Sequence, residues 1–301
     1  MKVRYWGVRG SIPMPGPTTV RHGGNTPCVS VETADGSLLV LDGGTGLRSL
    51  GRALMARDDY ATGRGTASLL FTHRHWDHIQ GIPFFHPAYV EGNVFDLYAP
   101  SIDGSLTPPE DLVSCQHNGV NFPVGYDAVR RAYRFHAVQE NVPFETASMS
   151  VHPIRMNHPG VTFGYVITEV SSGVKLAYLC DTAPFEGPLL GLGMAAPADA
   201  GAAGRHYRGR VVQATDRADL VIHDTFFDGE SGYRERIGWG HSAPTHAMAI
   251  CLDAGALALH LFHFAPDLDD DAVARMVNQA RAEAGSRLQV HASAEGMEVV
   301  L

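Results

Sequence analysis

The stretch Phe71-Thr72-His73-Arg74-His75-Trp76-Asp77-His78 places four metal-ligand side chains within six residues. It follows an apolar run, 67–72, that reads as a buried strand, and a short helix begins at about Asp77. A strand delivering such a segment to a sheet edge is a rigid mount for ligands. His73 and His75, two residues apart, can point to one side. Asp77 and His78, at the start of the next helix, can point to a second location. The motif thus offers two nitrogens to one ion and an oxygen–nitrogen pair to another, the donor set of zinc or a similar borderline ion.

Two ions need more ligands than these four. Asp181, in Leu179-Cys180-Asp181-Thr182, and His263, in Leu261-Phe262-His263-Phe264, each close an apolar strand as His73 does. His158, in Asn157-His158-Pro159-Gly160, follows a strand ending near Met156. Taken singly, a histidine after a strand is more often a hydrogen-bonded structural residue, and Asp181 alone reads as a helix cap. Together with residues 73–78 they read as ligands at successive strand ends, converging on one edge of a sheet. Cys180 points to the opposite face if the pleat continues, so it is not read as a ligand. His260, three residues before His263, is set aside for the same reason.

The rest of the chain supports this frame. Strand patterns recur at 3–8, 27–33, 37–41, 95–99, 149–156, 162–169, 175–180, 220–223, 256–263, 288–291 and 297–301, with helices at 47–57, 244–254 and 269–283. Asp42-Gly43-Gly44-Thr45-Gly46 lacks the G-K-[ST] ending of a phosphate loop and reads as a tight strand-to-helix turn. Strands interspersed with helices, without a dividing linker, predict one α/β domain over residues 1–301. Residues 92–140 are the least regular, with a helical piece at 126–133, and residues 100–135 lie within them. They read as an excursion over the site, in which Phe122, Tyr126 and Tyr133 form either an aromatic wall for a base or a dimer contact. Residues 185–205, rich in Gly, Ala and Pro, read as a mobile loop.

Composition bounds the partners. Of 301 residues, 23 are Lys or Arg and 32 Asp or Glu, a net charge of −9, and 16 are His. An acidic chain without a cationic cluster is a poor general binder of nucleic acid, which is held mainly by phosphate neutralisation. No apolar stretch reaches the length of a membrane span, and the first residues lack the apolar core of an export signal. Four scattered cysteines, without CxxC spacing, read as reduced thiols of a cytoplasmic protein.

The order His73-x-His75-x-Asp77-His78, then His158, Asp181 and His263, resembles the metallo-β-lactamase superfamily over essentially the whole chain. That resemblance implies a four-layer αββα sandwich. Within the superfamily the chain resembles the phosphodiesterase branch, which includes RNase Z-like enzymes and small cyclic-phosphate and cyclic-nucleotide phosphodiesterases. The marker is Gly238-Trp239-Gly240-His241-Ser242-Ala243, similar to that branch's His-Ser-Thr element, with Ala243 where Thr is usual. Trp6-Gly7-Val8-Arg9-Gly10-Ser11-Ile12-Pro13 and Gly23-Gly24-Asn25-Thr26 resemble the branch as well.

Carried over by residue, the resemblance implies that His73, His75 and His158 hold one divalent ion and Asp77, His78 and His263 a second, with Asp181 bridging both. Zinc is the expected metal, with manganese or iron as alternatives. A hydroxide shared by the ions would attack phosphorus. Asp77 would orient that hydroxide, and His241 would stabilise the phosphoryl group or protonate the leaving oxygen. His223, in His223-Asp224, is a candidate substrate contact or supporting group. The expected substrate is a small cyclic phosphodiester, first a 3′,5′-cyclic nucleotide, with a phosphoribosyl-type cyclic phosphate or an RNase Z-like activity as alternatives. RNase Z-like enzymes tend to carry a tRNA-binding arm in the interval matching His158 to Asp181. Here that interval has 22 residues, enough for two strands and a turn. A large nucleic acid partner is therefore not expected, while a homodimer is implied. A non-catalytic metal-binding sensor and an iron-dependent redox protein are the rival readings from other classes.

Overall fold

The computed structural model describes residues 1–101, 105–190 and 200–301. These form two seven-stranded mixed sheets. The first contains β1 (Lys2–Gly7), β2 (Cys28–Glu32), β3 (Leu38–Leu41), β4 (Thr66–Leu70), β5 (Val94–Ala99), β6 (Tyr133–Ala137) and β14 (Glu298–Val300), in the spatial order β14-β1-β2-β3-β4-β5-β6. The second contains β7 (Phe144–Thr146), β8 (Met149–Arg155), β9 (Phe163–Glu169), β10 (Lys175–Leu179), β11 (Leu220–Asp224), β12 (Ala258–Phe262) and β13 (Gln289–Ala292), ordered β13-β12-β11-β10-β9-β8-β7.

Each sheet is antiparallel in one half and parallel in the other. In the first, β3 to β6 pair in parallel; in the second, β10 to β13 do. Parallel strands end on the same side, and in open α/β sheets ligands collect beyond their carboxyl ends. β8 is separated from β10 by antiparallel β9, so it runs in β10's direction and also ends at that rim.

Apolar composition explains the central strands. β3 (LLVL) and β11 (LVIHD) are buried along their whole length, as strands covered on both faces must be. The sheets face each other across a core that includes Val3, Tyr5 and Leu41 from the first and Val151, Tyr165 and Leu261 from the second.

On the first sheet's outer face, α1 (Gly46–Met55) buries Leu47, Leu50 and Leu54, one helical stripe. Short helices α2 (Asp58–Ala61), α3 (Trp76–Ile79) and α4 (Asp111–Ser114) follow. Helices α5 (Ala200–Ala214), α7 (Pro244–Ala254) and α8 (Asp270–Ala284) pack on the second sheet, and α6 (Glu230–Glu235) lies between β11 and α7 in sequence. The ends of α7 were legible in its residues: Pro244 stands in the first turn and Gly255 closes the helix at φ 62°. Helix α8 is capped by Asp269, which accepts from Ala272 N–H at 2.7 Å. Two mixed sheets between helical layers are the expected αββα architecture. Among the described residues no helix is long and apolar enough to cross a membrane.

Three local expectations change. Of the predicted loop 185–205, residues 191–199 lie outside the described residues, but Ala200 onward is helical. Alanine is the strongest helix former, and α5 gains tertiary support by burying Val211 beside β8 and α7. The helical piece at 126–133 is two 3₁₀ turns, Tyr126–Ala128 and Arg130–Ala132, that lead into β6. Tyr133 is the first residue of that strand and is buried against Phe95, so it is no part of an aromatic wall. Phe122 packs on Phe84 and His117, and Tyr126 donates to Glu110. The excursion does meet the His-rich segment: Arg74 donates to Pro100 O at 3.3 Å and pairs with Asp111.

Candidate metal centre

The structure brings His73, His75, Asp77, His78, His158, Asp181 and His263 together at the rim where the strands end. His73, His75 and His158 form one group with Asp181, and His78 and His263 form another with the same carboxylate. The two oxygens of Asp181 are divided between them. Oδ2 lies 3.4 Å from His73 Nε2 and 3.6 Å from His158 Nε2. Oδ1 lies 3.3 Å from His78 Nε2 and 3.1 Å from His263 Nε2. Asp77 Oδ2 joins the second group, 3.3 Å from His78 Nε2 and 3.1 Å from His263 Nε2. His158 Nε2 faces His75 Nδ1 at 3.0 Å.

The far side of several rings is already engaged, which fixes their tautomers and leaves the inner nitrogens free. His78 Nδ1–H donates to Asp42 at 2.9 Å, and His158 Nδ1–H to Gly240 O at 2.8 Å. His73 Nδ1–H donates to Thr72 Oγ1 at 3.0 Å, and that hydroxyl donates to Asp42. The buried inner Nε2 atoms of His73 and His78 have no hydrogen-bond partner among the described residues. Orphaned imidazole nitrogens beside two carboxylates, all buried, fit a pair of divalent cations and fit little else. The His/Asp clusters are compatible with a dinuclear site.

The electrostatics agree for His73, His75, His158 and the two carboxylates, whereas at His78 burial is outweighed by Asp77, Asp181 and Asp42, which push that imidazole up. Burial pushes the Asp77 carboxyl up, but His78 and His263 outweigh it and hold the group ionised. Burial alone leads in holding His158 neutral, with a pKa lowered to about 4. Neutral imidazoles and ionised carboxylates are the ligating forms.

Backbone geometry at the rim is unusual. Asp42, Asp181 and His263 end β3, β10 and β12 with φ of 59°, 55° and 62°. The left-handed region costs non-glycine residues roughly 1–3 kcal/mol each and clusters at functional sites. Two glycines permit close approach: a Cβ at Gly240 would lie 2.3 Å from His158 Nδ1, and one at Gly10 would lie 2.6 Å from His263 Cε1.

His241 lies beside the cluster, stacked on Phe226 with ring centroids 4.4 Å apart and near His263 at 5.2 Å. Its Nδ1–H donates to Asp224 at 2.8 Å. Burial lowers its pKa, but the Asp224 carboxylate more than offsets this and the net shift is upward.

His223 does not join them. It is buried with Nδ1 2.7 Å from Asp224 O, and it lines a separate cavity of about 110 Å³ with Phe185, Arg208 and His246. Neighbouring residues of a strand face opposite ways, so of the pair His223-Asp224 it is the aspartate that turns to the rim. Cys180 departs from expectation in the other direction: its thiol donates to Asp181 Oδ1 at 3.1 Å. The strand ends at Leu179 and Asp181 turns left-handed, so the alternation does not continue.

Sequence reasoning missed Asp42, which supports both His78 and Thr72, and Ser11, whose N–H donates to Asp77 Oδ2 at 2.7 Å. The available signal for Asp42 was its place at the end of an apolar strand, the same place as Asp181. The glycines behind it drew the reading toward a turn.

Two mixed sheets lie between helices, with a His/Asp cluster that could hold metal where strands of both sheets end. The Beta-lactamase superfamily domain matches residues 39–264, most of the chain, and the chain belongs to that superfamily. It is 27% identical, over 306 aligned positions, to the Ribonuclease Z of Halobacterium salinarum, covering 90% of this chain and 89% of that one. Among solved structures, unliganded yeast PDE1 aligns with a TM-score of 0.68 at 14% identity, covering 100% of this chain and 99% of that one. The short form of human tRNase Z aligns at 0.60 and 19% identity, again over 100% and 99%. At such identities these two structures speak for the fold alone.

Proposed function

We propose that the chain hydrolyses a small cyclic phosphodiester, first a 3′,5′-cyclic nucleotide, at a dinuclear centre. His73, His75 and His158 would hold one ion, Asp77, His78 and His263 the other, and Asp181 both. Zinc suits these nitrogen and oxygen donors, with manganese or iron as alternatives. When bound, two such ions supply activation of water near neutral pH and neutralisation of phosphate charge. The observation that carries the reading is the pairing of His241 with Asp224 at the edge of this cluster.

Asp77, fixed by the Ser11 N–H, accepts a hydrogen bond from the attacking water and orients it. Asp224 accepts from His241 Nδ1–H and favours the imidazolium, whose second proton, on Nε2, can be donated to a non-bridging oxygen or to the departing alkoxide. Phe226, stacked on the imidazole, keeps it aligned and excludes water from one face. Support for a small substrate comes from the interval between His158 and Asp181, taken up by the β9–β10 hairpin, and from the net charge of −9. The four cysteines all stay free, which supports a reducing, cytoplasmic setting. The assembly expected is a homodimer, which size-exclusion chromatography with light scattering tests.

A second reading, an RNase Z-like endoribonuclease, is favoured by the curated Ribonuclease Z relatives. Elemental analysis of the purified protein and turnover of cyclic nucleotides, linear diesters and pre-tRNA test both. Two ions per chain and cyclic-nucleotide turnover are expected. Cleavage of pre-tRNA alone would replace the first reading with the second.

A further inference from the structure

A cleft of about 590 Å³ opens beside the cluster, lined by Ser11, Phe226, Phe227, Asp228, Glu235, Arg236, Trp239 and Asp267, among others. It shares two walls with the chemistry, because Ser11 holds Asp77 and Phe226 stacks on His241. Its volume is that of a site for one small molecule.

Trp239 stands two residues before His241 and is 57% exposed. An isolated exposed aromatic means little by itself. This one is held between Gly238 and Gly240, at φ 97° and 90°, and Gly240 is pinned against His158. The indole is therefore carried by a loop whose path the cluster fixes. The charges of the lining are lopsided. Asp228, Glu235 and Asp267 face one guanidinium, Arg236, which is itself 3.5 Å from Glu235 and near the Trp239 ring. A chain of phosphates entering here would meet carboxylates where nucleic-acid channels carry Lys and Arg.

We propose that this cleft is a nucleoside subsite that takes the uncharged half of the diester, with the phosphate at the cluster. Trp239 stacks the base, and Asp228 and Asp267 accept hydrogen bonds from sugar hydroxyls or exocyclic amino groups. The proposal rests on the small-diester reading above and specifies which part of the substrate the protein recognises.

The test uses the metal-loaded wild type with Trp239→Ala and Trp239→Phe, both at an exposed position and checked for unchanged Tm. With adenosine 3′,5′-cyclic monophosphate as substrate, Trp239→Ala should raise KM about tenfold, the equivalent of ~1.4 kcal/mol of lost stacking. Its kcat should change less than about threefold, and Trp239→Phe should restore most of the affinity. As a readout independent of turnover, adenosine 5′-monophosphate should quench the wild-type tryptophan fluorescence saturably. The quench should vanish in Trp239→Phe, which keeps Trp6 and Trp76. If the wild type turns over cyclic nucleotides while KM of Trp239→Ala stays within about twofold, or the quench survives in Trp239→Phe, the subsite is wrong and the phosphodiesterase reading stands. If the wild type ignores cyclic nucleotides and cleaves pre-tRNA, the small-diester reading fails and the subsite with it.

Discussion

The two sheets feed the cluster in opposite ways. The first supplies His73, His75, Asp77 and His78 from one unbroken turn after β4, and none of these residues has a positive φ. The second supplies His158, Asp181 and His263 from the ends of three separate strands, with Asp224 and His241 from two further places. Two of these three residues, Asp181 and His263, sit in left-handed backbone. Closeness in sequence gathers the first set, and Asp42 and the Ser11 N–H brace it from outside. The second exists only when a whole sheet is assembled, and it carries most of the strain.

If this contrast is right, the most damaging change lies on the dispersed side. Asp181→Asn tolerates the left-handed backbone but removes the charge proposed to serve both ions. It should leave at most one ion per chain by elemental analysis and cut kcat/KM by about a thousandfold, since each ion's charge stabilisation is worth several kcal/mol. Two retained ions would mean that Asp181 is not the bridge.

His241→Ala should keep its metal and lose about a hundredfold or more in kcat. Asp224→Asn should reproduce most of that loss by disturbing the imidazole's tautomer. Near-normal turnover in His241→Ala would remove that residue from the mechanism.

On the contiguous side, the weak point is Asp42, the support outside the segment. Asp42→Asn should lower metal affinity about 10–100-fold, measured by competition with a chromogenic chelator. An affinity unchanged within error would show that residues 73–78 are self-sufficient.

The smallest effect concerns stability and lies just behind His263. Burial holds the His260 imidazole down to about 3, with His291 adding to the shift, while Tyr5 OH is 2.7 Å from its Nδ1. Arg281, 3.3 Å from the His291 ring, is the charged group behind that pair. A free histidine titrates near ~6.5. Between those values the unfolded chain binds a proton that the native protein refuses, so stability falls as pH falls through that window. His260→Gln should flatten the loss by up to one proton, ~1.4 kcal/mol per pH unit, in denaturant titrations from pH 6.5 to 4. An unchanged slope would assign acid sensitivity to other histidines.

How far the molecule could be read from its residues follows the same divide. The strands were legible because apolar runs bounded by turns are a local signal, and α7 because proline and glycine mark its ends. The short strands β6 and β7 were not, since they are edge elements of five and three residues and take their form from neighbours. Helix α5 was hidden by the Gly, Ala and Pro around it. At the site, Asp224 was passed over for His223 because both are ligand types and only the facing of β11 separates them. The thiol of Cys180 was turned away by an alternation that the bend at Asp181 interrupts.

Residue types and their order determined the chemistry: imidazoles and carboxylates in the order His-x-His-x-Asp-His, then His, Asp and His, because coordination depends on donor atoms that the sequence spells out. The placement of those donors was decided by the tertiary structure. Parallel strands from two sheets had to end at one rim before Asp181 could present one oxygen to each group, and before Asp42, Asp224 and Gly240 could fix the rings. Those contacts join residues far apart in the chain, and only packing of the two sheets brings them within hydrogen-bonding reach.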